Sequence, residues 1–298
     1  MNEATFSLED MFLVVFTLID DLYTEHVPLP IRKRSQRERI TFSDSEVITH
    51  SIMQQALSND SKRSFHRFVE KNFLHLFPRL ITRDRYHRRR KALMGVQELL
   101  FGKLSRVLSL HAQWLVVDSF PIETTQFVRS QSGKRSIPEA DYGYIPAKKR
   151  HFFGLRLHPL ITESGLITDT GAVVGFTLAA ANSDERSVAA ALLAEHNGQV
   201  VLADNGFSGE RMSEEAARYE HTMLASPRPG QKPTSKAEAR CRRWLRSKRD
   251  LIETVGSVLA DQFKIETTRA RSLWGVATRA CRQAPGLQTK HLYQPNAR

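Results

Sequence analysis

The chain has 298 residues, 41% of them hydrophobic and 26% charged, enough to form two globular domains with well-buried cores. A net charge of +12 and a pI near 9.9 point to a polyanionic partner and disfavour a small-molecule phosphatase. Two cysteines, Cys241 and Cys281, without CxxC spacing or a paired His motif, argue against a disulfide framework and structural zinc.

Residues 1–112 read as an all-helical domain. Ser7 can cap a helix with apolar positions at Leu8, Met11, Phe12, Val15, Leu18, Ile19 and Leu22, and Pro28 and Pro30 end it. The run Met11–Phe16 is too short to span a bilayer and follows acids rather than a basic segment. With no lipidation motif either, the expectation is a cytoplasmic, nucleoid-associated protein with no membrane partner. Ser43 and Glu46 make a capping box for a second helix reaching the turn at Asn59-Asp60. A third helix carries Phe65, Phe68, Val69, Phe73 and Leu76 and stops near Pro78. Thr82 is placed to cap a long fourth helix reaching about Leu110.

From Trp114 onward, short Val-, Ile- and Phe-rich runs alternate with glycines and turns. Strands are expected over 114–118, 151–161, 165–178, 199–203 and 221–226. Helices are expected over 183–196, 210–219 and 236–263. Three strands, helix, strand, helix, strand, helix is the order of an RNase H-like α/β domain. That predicts a mixed five-stranded sheet with flanking helices, over 113–282.

Three acids stand out. Asp118 closes the run Trp114–Val117, and Asp204 closes Val200–Ala203. An Asp at the end of a strand is rigidly held where open α/β sheets bind ligands. Glu253 lies in a basic helix, with Arg246 and Arg249 on its face at i−7 and i−4 and Leu245, Ile252, Val255 and Leu259 as an adjacent apolar stripe. Such a trio suits two Mg²⁺ ions, with Mn²⁺ as a substitute, one at the attacking and one at the leaving oxygen of a phosphodiester. Asp118 would bridge the ions, and Asp204 and Glu253 would each complete one. Each acid alone also has a plain reading: a turn residue for the aspartates, an Arg249–Glu253 surface pair for the glutamate. Asp169, Asp184, Asp261 and Glu266 compete, although Asp184 is explained by capping and Asp169 by a turn.

Basic clusters give the nucleic-acid side. Residues 79–91 hold seven Lys/Arg, among them Arg88, Arg89 and Arg90, against Asp84. Residues 228–249 hold nine against Glu238. Lys148, Lys149 and Arg150 form a third group. Such patches release counterions from DNA and give salt-sensitive affinity. Helices two to four can also form a helix-turn-helix-like unit. His87, His151 and His158 are expected near phosphate or in packing rather than on metal.

The residues resemble a known family. Val116–Ile122, Tyr142–Tyr144 with Lys148–His158, Leu202–Phe207 and Arg249–Arg271 carry the likeness, with Ser43–Thr49 in support. They are similar to DDE transposases of bacterial insertion sequences, and to the insertion-sequence 982 family in particular. The resemblance implies that Asp118, Asp204 and Glu253 are the DDE triad. It implies cleavage at the ends of an element and joining of the freed 3′-hydroxyls to target double-stranded DNA, by a homodimer that holds two ends. A catalytically inactive DNA-binding remnant and a nuclease without joining activity are the alternatives. Two departures stand out. Arg246 and Ala260 occupy positions where related transposases carry Tyr and Lys. The tail 283–298 is polar and proline-bearing where an apolar helix is expected. Codons permitted for that tail can encode such a helix one nucleotide later, so a frameshift is the expected origin of the irregular tail.

Overall fold

A computed structural model describes residues 7–33, 41–57, 61–127, 130, 137–146, 148–163, 172–196, 198–225, 232–233, 235–257, 270, 272–277 and 279–280, with the side chains of 111 and 249–256 outside the description. The tail and its proposed frameshift, Asp169, Asp261 and Glu266 lie outside the described residues. The chain forms two compact units, one built from the residues up to Leu104 together with Ala280 and the other from Ser105–Arg279.

The first unit is helical. Its elements are α1 (Leu8–His26), the short α2 (Leu29–Arg32), α3 (Asp44–Ala56), α4 (Lys62–Asn72), α5 (Arg83–Ala92) and the start of α6 (Met94–His111). Capping boxes open α1, between Ser7 and Asp10, and α3, between Ser43 and Glu46. The apolar stripe of α1 packs Phe12 against Phe73 and Phe77, at centroid distances of 4.9 and 5.5 Å. The long fourth helix expected from the sequence is two helices. Leu93 breaks it, buried with Met94, so burial of the joint overrides an otherwise continuous helical pattern. Thr82 occupies the N-cap position of α5 without a side-chain cap bond. α4 also ends sooner than its apolar spacing suggests, with Phe73 as its C-cap.

The second unit is built on one sheet whose spine is the long strand β4 (Arg150–Thr162). One edge of β4 pairs antiparallel with β1 (Trp114–Val117) and then β2 (Phe120–Thr125). Its other edge pairs antiparallel with β5 (Val173–Ala180) and then β3 (Asp141–Ile145). Beyond β1 lie β6 (Val200–Ala203) and β7 (Thr222–Ala225), both parallel. The helices are α7 (Glu185–Leu193), α8 (Glu210–Ala217) and α9 (Lys236–Ser257).

The five-stranded expectation is therefore corrected to seven strands in five rows. β2 and β3 extend the rows of β1 and β5. Both carry residues that usually mark turns. Pro121 stands in β2, and Gly143 lies mid-strand in β3 opposite Phe152. A Cβ at Gly143 would come within 2.6 Å of the Phe152 ring, so the glycine makes room for the aromatic across the strand pair.

β1 and β2 keep one register along β4. Val117 faces Leu160 and Phe120 faces Leu157, so Asp118 and Ser119 fall opposite Pro159 and His158. Pro159 has no N–H to give a neighbouring strand, and the chain leaves regular strand geometry at Asp118-Ser119. Gly154 is required on the same edge, because a Cβ there would collide with the Ile122 carbonyl. Gly154→Ala is expected to destabilise the second unit by about 1–3 kcal/mol through forced separation of β2 from β4. A lower urea midpoint at unchanged slope would report it.

Candidate functional site

Parallel pairing of β1 with β6 sets Val117 against Ala203. The next residues in each chain are Asp118 and Asp204, side by side at the ends of neighbouring strands, which run about 4.8 Å apart. Both are half-buried. Asp118 Oδ1 accepts the Ser119 N–H at 2.7 Å. Asp204 precedes a single 3-10 turn, Asn205–Phe207, closed by Phe207 N–H to the Asp204 carbonyl at 3.0 Å. Glu253 lies on α9, with its side chain outside the description. α9 packs on the start of β1. Trp244 meets Trp114 edge-on at 5.9 Å, and Lys248 Nζ lies 5.5 Å from the Trp114 ring centroid. Among the described residues no three His, Cys, Asp or Glu side chains gather as a metal site.

A charged cluster borders the two aspartates, and the sequence reading did not single it out. Arg156, in the middle of β4, ion-pairs with Glu185 Oε1 at 2.9 Å. It also donates to Ser119 Oγ at 3.1 Å, to the Tyr144 carbonyl at 2.8 Å and to the Ala181 carbonyl at 3.3 Å. Ser119 Oγ donates to Glu185 at 3.1 Å. Asp184 caps α7, as expected, accepting from Ser187 N at 3.2 Å. One signal for this cluster was available. A lone arginine inside the apolar run Phe152–Ile161 must find partners when the strand is buried.

The basic clusters separate into two kinds. Arg90 is 4% exposed. It donates to Gln54 at 3.0 Å and lies over Tyr86. Arg89 bonds Asp44 at 2.5 Å and the Phe42 carbonyl, and Tyr23 donates to the same Asp44 at 2.8 Å. These two arginines, expected on DNA, hold α5 to α3 and its neighbours, while Arg88 faces solvent. Lys148, Lys149 and Arg150 are exposed at the turn between β3 and β4. Lys149 is in the left-handed conformation, with φ 47°, and Arg150 pairs with Glu123 at 3.2 Å. Arg246 is exposed on α9, and Arg249 lies one turn further along the helix.

Residues 112–273 match the family model described as Transposase DDE domain. The chain belongs to that family. The matched segment of the DDE domain contains Asp118, Asp204 and Glu253. A solved structure, the cryo-EM structure of the piggyBac transposase synaptic complex with hairpin DNA, is similar at 9% identity and a TM-score of 0.49, covering 94% of this chain and 74% of that one. No protein of curated function matches significantly. Among the described residues no helix is long and apolar enough to cross a membrane.

Three histidines, two in this unit and one in the helical unit, have strongly lowered pKa values. His158, fully buried in β4, is a packing residue. Burial, with Arg156 adding repulsion, pushes its pKa down to about 4. Burial likewise pushes His196 down to about 4 and His50, in the helical unit, to about 3. All three are neutral in the fold, and their ordinary value is 6.5. Below that pH the unfolded chain binds more protons than the folded one. Stability is therefore expected to be full above about pH 6.5 and to fall steadily toward pH 4. Urea midpoints taken across that range check this, and a flat profile would contradict it.

Proposed function

We propose that this chain is a DNA transposase of an insertion sequence, of the insertion-sequence 982 type, with Asp118, Asp204 and Glu253 as its catalytic acids. The observation that carries the reading is the register of β1 and β6, which leaves two carboxylates at adjacent strand ends within the matched domain. The row order β5-β4-β1-β6-β7, antiparallel up to β1 and parallel beyond it, supports an RNase H-like sheet. Spacing along α9 supports Glu253. Nine residues, about 13.5 Å of helix, separate it from Trp244, which packs on Trp114. Four residues, about 13 Å of strand, separate Trp114 from Asp118.

Half-buried carboxylate oxygens are hard donors, and their chemistry fits Mg²⁺ or Mn²⁺. Asp118 and Asp204, with Glu253, would hold two such ions. Bound there, the metal would supply activation of an attacking oxygen and stabilisation of a leaving one. The protein's own part is to place the carboxylates and to draw in DNA. Lys148, Lys149 and Arg150 at the β3–β4 turn, Arg246 and Arg249 on α9, and Arg88 on α5 are proposed to contact phosphates of the element ends and target. Two ends must meet for transposition, so a homodimer on DNA is part of the proposal.

The test uses DNA carrying the gene's own flanks, with Mg²⁺ or Mn²⁺. Wild-type protein is expected to cut at an inverted repeat and to join the ends to a target, and Asp118→Asn and Asp204→Asn to bind DNA and do neither. Binding without cutting by the wild type would mark an inactive remnant, and cutting without joining a nuclease. The phosphate contacts have their own readout. Each lysine lost at the β3–β4 turn is expected to reduce the slope of log affinity against log salt by about 0.9. Lys148→Ala and Lys149→Gly are the suitable pair, since glycine accepts the backbone of Lys149. An unchanged slope would remove the turn from the interface.

A further inference from the structure

Resting on the reading of Asp118 and Asp204 as metal-holding acids, we infer that the first turn of α7, locked by Arg156, is a clamp that positions both aspartates. Two adjacent residues of α7 reach the two turns separately. Glu185 Oε1 accepts the hydroxyl of Ser119, the residue after Asp118, at 3.1 Å. Arg186 Nε donates to the carbonyl of Gly206, in the turn that follows Asp204, at 3.0 Å. The second oxygen of Glu185 also lies against Gly206, 3.7 Å from where a Cβ on that residue would stand.

Ser119 is the link to Asp118. Its N–H is bonded to Asp118 Oδ1 at 2.7 Å, and its hydroxyl is held by both Glu185 and Arg156. The carboxylate is thus two hydrogen bonds from an ion pair. That ion pair is fixed in turn, because Arg156 also donates to the carbonyls of Tyr144 and Ala181. The Asp184 cap holds the helix end, accepting from both the amide and the hydroxyl of Ser187.

The charge balance of the cluster follows from the same contacts. Glu185 is a further acid beside the aspartates, and Arg156 at 2.9 Å offsets its charge. Glu185 is therefore a positioning residue and not a ligand. Groups that orient metal ligands in this way typically change metal affinity about 10–100-fold when removed.

The experiment is Mn²⁺ binding to the full chain without DNA, followed by electron paramagnetic resonance, for wild type, Ser119→Ala, Glu185→Gln, Arg186→Ala and Asp118→Asn. Amide hydrogen exchange of the segments 117–121 and 204–207 is measured on the same metal-free proteins, and melting temperature serves as the fold control. Ser119→Ala and Glu185→Gln are expected to weaken Mn²⁺ binding about 10–100-fold. The double variant should be no weaker than the worse single one, because both lie on one path. Glu185→Gln and Arg186→Ala should each speed exchange in both segments. Exchange that rises in only one segment, or wild-type Mn²⁺ affinity in a folded Ser119→Ala protein, would overturn the clamp. If wild type and Asp118→Asn bind Mn²⁺ equally, the metal reading fails, and the exchange data still decide whether α7 couples the turns.

Discussion

Parallel pairing of β1 with β6 is the constraint on which the second unit depends. Register in a sheet is all or nothing, since a slip of one residue turns every side chain to the other face. With β1 buried on both faces, such a slip would exchange the side chains packed against each face, so packing favours Val117 opposite Ala203. The proximity of Asp118 to Asp204 is thus set by apolar packing in the layer beneath them. The two acids repel one another. The stability of the sheet offsets that repulsion in the folded chain, and a cation would relieve it.

Arginines in this protein stand in two different settings, and a basic total charge does not distinguish them. Arg156, Arg89 and Arg90 sit among carbonyls, carboxylates and rings. A guanidinium offers five donors in a planar fork, which lets one side chain join several elements. Arg156 does this across β3, β4, α7 and the turn after β1. Arg88, Arg246 and Lys148 are instead exposed at the surface.

Much of the fold was legible because its signals were local. The capping residues Ser7, Ser43 and Asp184 each start a helix, and the apolar runs 114–117 and 200–203 are strands whose ends carry the two aspartates. Elements set by tertiary contact were not. β2 and β3 contain a proline and a glycine that single-sequence patterns assign to turns, and only the presence of β4 makes them strands. Leu93 breaks a helix because its side chain is wanted in the core. Arg89 and Arg90 belong to an unbroken basic run in the sequence, and their burial depends on Asp44 and Gln54, 45 and 36 residues away. Glu185 is hard to read from sequence for a similar reason. Beside a capping aspartate it reads as first-turn charge, and its partners Ser119 and Arg156 come from other strands.

Pro159 has a consequence for entropy. In its absence the segments 114–117 and 120–125, already in one register along β4, could zip into a single long strand. The carboxylate of Asp118 would then divide its time between a ladder position and a strand end. With the proline opposite, such a strand would lack one ladder hydrogen bond at Asp118. Backbone freedom at Asp118 is then reduced during folding, where the whole sheet shares the cost, and less of it remains to be lost when something binds.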